Sequence, residues 1–184
     1  MGDRSKDVTT ASTATLPATA VRALDFDALY RDARDDVFAY TATLLRDSAA
    51  AEDVTAQAFE RAYKRRSRFD ARRGSPRAWL FGIARNAALD ELRRRRRSAA
   101  LLADPEDPDA PGPADEPDEE AAVRRAAVRA ALAHLDPRER ELIALKYHAD
   151  LSHAEIAAVL GVSASNASTL LHRAMTKLRE TVDV

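Results

Sequence analysis

The stretch SHAEIAAVLGVS, residues 152–163, decides the fold. Ser152 followed three residues later by Glu155 is a capping box that opens a helix. Gly161 permits a left-handed turn, and Ser163 supplies a fresh N-cap for the next helix. Small Ala157 lets two helices approach, while Ile156, Leu160 and Val162 fill the crook between them. This is the pattern of a helix-turn-helix. A helix starting at Ser163 suits the major groove of DNA, with Ser163, Ser165, Asn166, Ser168, Thr169 and His172 at or near base edges and phosphates. Hydroxyls and an amide can read bases there, and an asparagine suits adenine. Arg173 and Lys177, one and two turns further on, are placed for phosphates. The competing reading is a plain packing hairpin.

Outward from this stretch the chain remains helical. Asp136-Pro137-Arg138-Glu139 is a second capping box with proline just inside it, ahead of Leu142, Ile143 and Leu145. A helix over about Glu120–Leu135 precedes it, so residues 120–184 read as one four-helix unit. Further upstream, Ala103–Glu120 holds five prolines and nine acids, which predicts an extended acidic linker over 103–119. Residues 22–102 read as a second small bundle. Asp25 caps a helix striped by Phe26, Leu29, Tyr30, Ala33, Val37, Tyr40, Leu44 and Leu45. Asp47 or Ser48 opens the next, with Val54, Ala58, Phe59 and Ala62 inward, and Gly74-Ser75-Pro76 punctuates the start of a third. Residues 1–21, rich in Ala, Thr, Ser and Asp, read as a disordered tail. The fold class is therefore all-α, two helical domains on a flexible linker.

Composition excludes several functions. The 184 residues include no cysteine, so there is no disulfide scaffold, thiolate metal site or cysteine nucleophile. No run approaches eighteen apolar residues and the N-terminus lacks a secretory apolar core, which reads as soluble and cytoplasmic with no membrane span. Of His134, His148, His153 and His172, no pair has metal-ligand spacing on one helix. No phosphate loop or nucleophile elbow is present, so neither an enzyme nor a cofactor is expected. The net charge of −1 conceals segregation: residues 61–97 carry a net +11 and residues 98–120 a net −9. A block that basic suits a polyanion, and the five arginines Arg93–Arg97 should repel one another unless something neutralises them, phosphate being the simplest answer and a solvated helix surface the competing reading. Tyr63, Phe69, Trp79 and Phe81 lie among these charges, and one left partly exposed would give an unpaired base a stacking platform.

Five blocks, in order, resemble the extracytoplasmic-function sigma factors of the sigma-70 family: ALYRDARDDVFAYTATLL, AEDVTAQAFERAY, RFDARRGSPRAWLFGIARNAALDELRRRRR, LDPRERELIALKYHADLSHAEIAAVLGVS and LLHRAMTKLRE. The resemblance runs from about Phe26 to Glu180 and implies a DNA-binding subunit that docks on core RNA polymerase and gives it promoter choice. It places Asp53, Gln57, Phe59 and Glu60 on or beside the contact with the clamp helices of the largest polymerase subunit. Ala56 and Gln57 stand where the family usually has Gln then an acid, which removes a charge from that contact. Phe69 and the loop 71–75, with Arg72, Arg73 and Ser75, would surround a base pulled from the −10 duplex. Arg85, Asn86, Asp90, Arg93 and Arg94 would lie on the helix used near that element, Asp90 either accepting from a base or orienting an arginine.

By the same resemblance the rear hairpin would read the −35 element and pack on the β flap. Ser165, Ala167, Ser168 and Leu170 replace residues that in the family include two cations, so phosphate anchoring should weaken. Leu170 either touches a thymine methyl or belongs to the core. The acidic linker either enters the polymerase channel or is a spacer. An anti-sigma factor is an implied partner. Two rival classes remain: an autonomous helix-turn-helix repressor or activator, and a sigma-like adaptor that does not initiate transcription.

Overall fold

The computed structural model describes residues 24–102, 128 and 130–182. The expected tail and acidic linker lie outside the described residues, as does most of the helix expected over 120–135, of which residues 130–133 are seen to be helical. Among the described residues there are helices and no strand.

Helix α1 (Phe26–Leu45) starts where the Asp25 carboxylate accepts the Ala28 N–H at 3.0 Å. It stops at Arg46, which adopts the left-handed conformation at φ 55°. Asp47 then caps α2 (Ser48–Arg65) through the Ala50 N–H. Two short 3-10 turns, Arg66–Arg68 and Ala71–Arg73, lead to Gly74. Gly74 has φ 149° and ψ 177°, a region open in practice only to glycine. Ser75 caps α3 (Pro76–Leu102), its hydroxyl accepting the Ala78 N–H at 3.1 Å. Each start is the one that the local sequence specifies, because a cap acts over only three residues.

The three helices bury one continuous apolar surface. Leu29, Val37 and Tyr40 of α1 meet Ala58 and Phe59 of α2 and Leu80, Phe81 and Ala84 of α3. A smaller cluster of Leu45, Ala51, Val54, Ala87 and Ala88 closes the far end. Between α1 and α2 the buried hydroxyls of Thr41 and Thr55 satisfy each other at 3.0 Å, as burial of polar groups requires.

The C-terminal unit contains α4 (Pro137–Tyr147), α5 (His153–Leu160) and α6 (Ala164–Val182). Both expected capping boxes form, at Asp136/Glu139 and Ser152/Glu155. Gly161 sits at φ 69°, and the N–H groups of Gly161 and Val162 both close on the Ala157 carbonyl. The chain turns by 101° between α5 and α6, within the usual range for a helix-turn-helix.

The linker reading leaves the two units free of each other, but in the structure they pack together. A single apolar cluster runs from Leu29, Tyr40 and Phe81 to Leu142, Leu145, Leu151, Ile156 and Leu171. Helix α4 lies against α1, and α5 against α3.

Two glycines give a test of opposite sign. Gly161 is left-handed, whereas Gly82 lies inside α3, and a Cβ at either position meets nothing within 4 Å. Gly161→Ala is expected to cost about 1 kcal/mol through backbone strain alone. Gly82→Ala should add about 0.5 kcal/mol by restricting the unfolded chain. Urea denaturation midpoints at unchanged slope measure both.

Candidate nucleic-acid interface

The loop ahead of α3 and the first turns of α3 form a cleft of roughly 500 Å³. Its floor is Phe69 and Trp79, with ring centroids 5.5 Å apart and planes tilted by 59°. Arg68, Arg73, Ser75 and Asn86 line its polar sides, and Ala158 and Val159 of α5 close the last wall. Phe69 and Trp79 are both half-buried and Tyr63 is exposed, while Leu80 and Phe81 are fully buried. An apolar floor with cations at the rim can stack a base and neutralise its phosphate. The loop is held by Asp70, which takes both the Nε and Nη2 of Arg72 at 3.0 Å as well as its backbone N–H. The Arg72 guanidinium keeps the Asp70 carboxyl below its ordinary range.

The expected −10 residues divide by environment. Arg72, Arg73 and Asn86 are exposed, and Phe69 and Ser75 are half-buried at the cleft. Asp90 bonds Arg61 at 3.3 Å and Arg93 at 3.1 Å, so here it orients arginines. Arg94 forks onto Glu91 at 2.8 and 2.7 Å, and Arg95 bridges Glu91 at 2.9 Å and Asp47 at 2.7 Å. Thus Arg93, Arg94 and Arg95 have neighbouring carboxylates that neutralise part of the run within the chain itself. The reason is helical spacing: Asp90 and Glu91 lie one turn before their partners. These exposed pairs are weak and exchangeable, so Arg93 and Arg94 can still reach a phosphate.

Arg85 has a different setting. Its Nε bonds Glu141 Oε1 of α4 at 2.6 Å, and its Nη2 lies 3.4 Å from Oε2. Glu141 is only 7% exposed and also accepts from the buried Tyr40 hydroxyl at 3.2 Å. Burial first, then the Glu141 charge, pushes the Tyr40 phenol well above its usual range. Ser75 donates to Glu155 of α5, which lowers the Glu155 carboxyl. Arg77, which sequence reasoning did not single out, joins the units most extensively. It pairs with Asp36 of α1 and donates to the carbonyls of Ala149 at 2.6 Å and His148 at 2.9 Å. His148 itself lies 3.5 Å from the Thr43 hydroxyl, and burial lowers its ring pKa.

On α2, Asp53, Gln57 and Glu60 share one exposed face, and Glu60 pairs with Lys64. Phe59 does not join them. It is 5% exposed beneath Phe26 and Tyr30, because its place in the apolar stripe turns it inward. The exposed aromatics nearby are Tyr30 and Tyr63, the latter with the Arg66 guanidinium 3.9 Å above its ring.

On the rear hairpin, Ser165, Asn166, Thr169, His172 and Arg173 are exposed and Ser168 is half-buried. Ser163 is occupied as the cap, accepting the Asn166 N–H at 3.2 Å, and Thr169 donates to the Ser165 carbonyl at 3.0 Å. Lys177 pairs with Glu139 at 2.8 Å, so it must leave that carboxylate to meet a phosphate. Leu170 is half-buried and packs against the apolar cluster.

Glu91 supplies a pH test. Its carboxyl, held by Arg94 first and also by Arg95, is pushed down to about 2 from 4.5. A lowered folded-state value means that its stabilisation is complete above about 4.5 and fades as the pH falls toward 2. The stability gap between the wild-type chain and Glu91→Gln should therefore be full at pH 6 and shrink below about pH 4.5 in denaturation curves.

Comparison with known proteins agrees with this geometry. Residues 29–98 match the family Sigma-70 region 2, and residues 131–180 match Sigma-70, region 4. The chain is 32% identical over 165 residues to the ECF RNA polymerase sigma factor SigL of Mycobacterium tuberculosis, covering 90% of this chain and 93% of that one. It is 35% identical over 159 residues to the RNA polymerase sigma factor CarQ of Myxococcus xanthus, covering 82% and 89% respectively. Its fold is similar to that of the sigma factor RpoE bound to the anti-sigma factor NepR from Bartonella quintana, with TM-score 0.74, 23% identity and coverage of 87% and 98%. It is also similar to CnrH bound to the cytosolic domain of CnrY, with TM-score 0.60, 27% identity and coverage of 86% and 87%. With an aromatic-floored cleft beside α3 and a helix-turn-helix in the C-terminal unit, the chain belongs to the extracytoplasmic-function sigma factors of the sigma-70 family, which direct RNA polymerase to promoters.

Proposed function

We propose that this chain is a non-catalytic, cytoplasmic specificity subunit that acts on promoters only when docked on core RNA polymerase. The docking face is that of α2, where Asp53, Gln57 and Glu60 are exposed in register one turn apart. Buried Phe59 supports this face from below. The polymerase clamp helices are the partner for α2, and the β flap for the C-terminal unit.

The observation that carries this reading is the Phe69–Trp79 floor under a rim of Arg68 and Arg73. Extracting a base from a duplex costs a few kcal/mol of stacking and pairing, which an aromatic floor and adjacent cations can recover. Arg72, Arg73, Asn86, Arg93 and Arg94 then guide the single strand at the −10 element. Meanwhile α6 enters the major groove of the −35 element, with Ser165, Asn166, Ser168 and Thr169 toward base edges and His172 and Arg173 toward the backbone. An anti-sigma factor is the expected inhibitor, consistent with the complexes that structurally similar sigma factors form.

The deciding experiment is run-off transcription with core polymerase on a randomised promoter library. Promoter-dependent transcripts that need the chain support the reading. Tight duplex binding by the chain alone, without polymerase dependence, would point to an autonomous regulator, and polymerase binding without transcripts to an adaptor.

Two substitutions separate anchoring from reading. Asn166→Ala should change preference at one or two −35 positions, each by about 1–3 kcal/mol, with little effect elsewhere. The pair Arg93→Ala and Arg94→Ala should weaken all promoters alike and lower the salt slope by about one for each phosphate that is no longer neutralised. Affinities of the reconstituted holoenzyme across the library at several salt concentrations measure both effects.

A further inference from the structure

Five consecutive arginines on one helix cannot all face the same way. At about 100° per residue, Arg93 and Arg97 share the face of α3 that also carries Trp79, Asn86 and Asp90, whereas Arg95 falls on the opposite side. That side is the buried one, where Ala84, Ala88, Glu91 and Arg95 follow one another at helical spacing. The Arg95 side chain is accordingly 26% exposed, against 63% for Arg93 and 66% for Arg94. Among the described residues, Leu92 is the last apolar side chain by which α3 packs on Leu45, Ala51 and Val54. One turn later the tie is ionic. Arg95 Nη2 meets Asp47 Oδ2 at 2.7 Å and its Nε meets Glu91 Oε1 at 2.9 Å. Asp47 serves both ends with separate oxygens, since its Oδ1 accepts the Ala50 N–H that starts α2.

We infer that Arg95 is a positioning residue for −10 recognition: clamped between Asp47 and Glu91, it fixes the rotation of the last turns of α3, so that Arg97 joins Arg93 in one phosphate-binding line with the cleft. This inference rests on the functional reading above and adds to it which arginines meet the DNA backbone and what holds them in place. Arg95 itself is no phosphate ligand, because its fork is occupied by two carboxylates on the side of α3 turned away from Trp79 and Asn86. The clamp is directional for the same reason. A planar guanidinium reaches a carboxylate of its own helix and one at the α1–α2 turn together at only one rotation of that helix. Past Leu92 this contact replaces apolar packing as the tie between α3 and the turn. From Trp79 to Arg97 the line runs for about 27 Å along the helix axis, so a small rotation at its far end would carry Arg97 off the path of the strand.

The sign of one substitution separates positioning from general electrostatics. Asp47→Asn keeps a competent cap for α2 but gives up the charge that holds Arg95. Removing a negative charge from the protein should by itself tighten DNA binding, whereas losing the clamp should loosen it. The probe is a labelled promoter fragment selected from the randomised library, bound by holoenzyme reconstituted with core polymerase. Asp47→Asn and Arg95→Gln should each weaken its binding about fivefold, with the double variant no weaker than either alone. Arg95→Lys, which keeps the charge and reaches one carboxylate, should recover part of the loss. Arg95→Gln should leave the salt slope unchanged, while Arg97→Ala should lower it by about one. In the Arg93→Ala, Arg94→Ala, Arg97→Ala background, Arg95→Gln should change affinity less than about twofold, because the groups it positions are gone. Tighter binding by Asp47→Asn, a slope lowered by about one in Arg95→Gln, or a full loss that persists in the triple background overturns the inference and leaves the functional reading standing. A wild-type holoenzyme that selects no fragment from the library removes that reading and this inference with it.

Discussion

A carboxylate that is 7% exposed must have partners, and Glu141 finds them on the other unit of its own chain. The Arg85 guanidinium supplies the charge and the Tyr40 hydroxyl a second donor. Taking one such partner from a buried pair costs about 3–5 kcal/mol, because the remaining charge stays desolvated. Glu141 therefore obliges the units to choose between two states. Closed, its charge is paired; open, it must be exposed to water. Intermediate separations, dry but unpaired, are the costly ones.

The rest of the architecture follows from that choice. The apolar cluster shared between the units draws them together, and the surrounding ionic contacts fix their alignment. Such a mixture is more polar than a domain core, as befits surfaces that meet and part. The donors involved are Ser75 at the cleft mouth and Arg85 on the helix behind it.

Much of this was legible in the sequence wherever the physics is local. The starts of α1 to α6 coincide with caps that the residues announced, at Asp25, Asp47 (with Ser48 the alternative), Ser75, Asp136, Ser152 and Ser163, because a cap is complete within three residues. The left-handed turn at Gly161 was equally plain. Pairings across the chain were not legible: Arg85 and Glu141 are 56 residues apart, and Tyr40 and Glu141 are 101 apart. Periodicity reports which face is buried, not what it is buried against. Glu141 nevertheless left a trace, as an acid within the run that supplies Leu142, Ile143 and Leu145 to the core. The arginine run was legible only in part. Its neutralising carboxylates, Asp90 and Glu91, stand immediately before it, but a charge count alone does not pair them.

The most direct measure of the central claim is the distance between the units with and without polymerase. Donor and acceptor dyes on Glu52→Cys in α2 and Arg179→Cys in α6 report it, both positions being exposed. High energy transfer in the free chain that falls sharply on addition of core polymerase is the result this account predicts. Transfer that is already low in the free chain, or that stays unchanged on assembly, would contradict it.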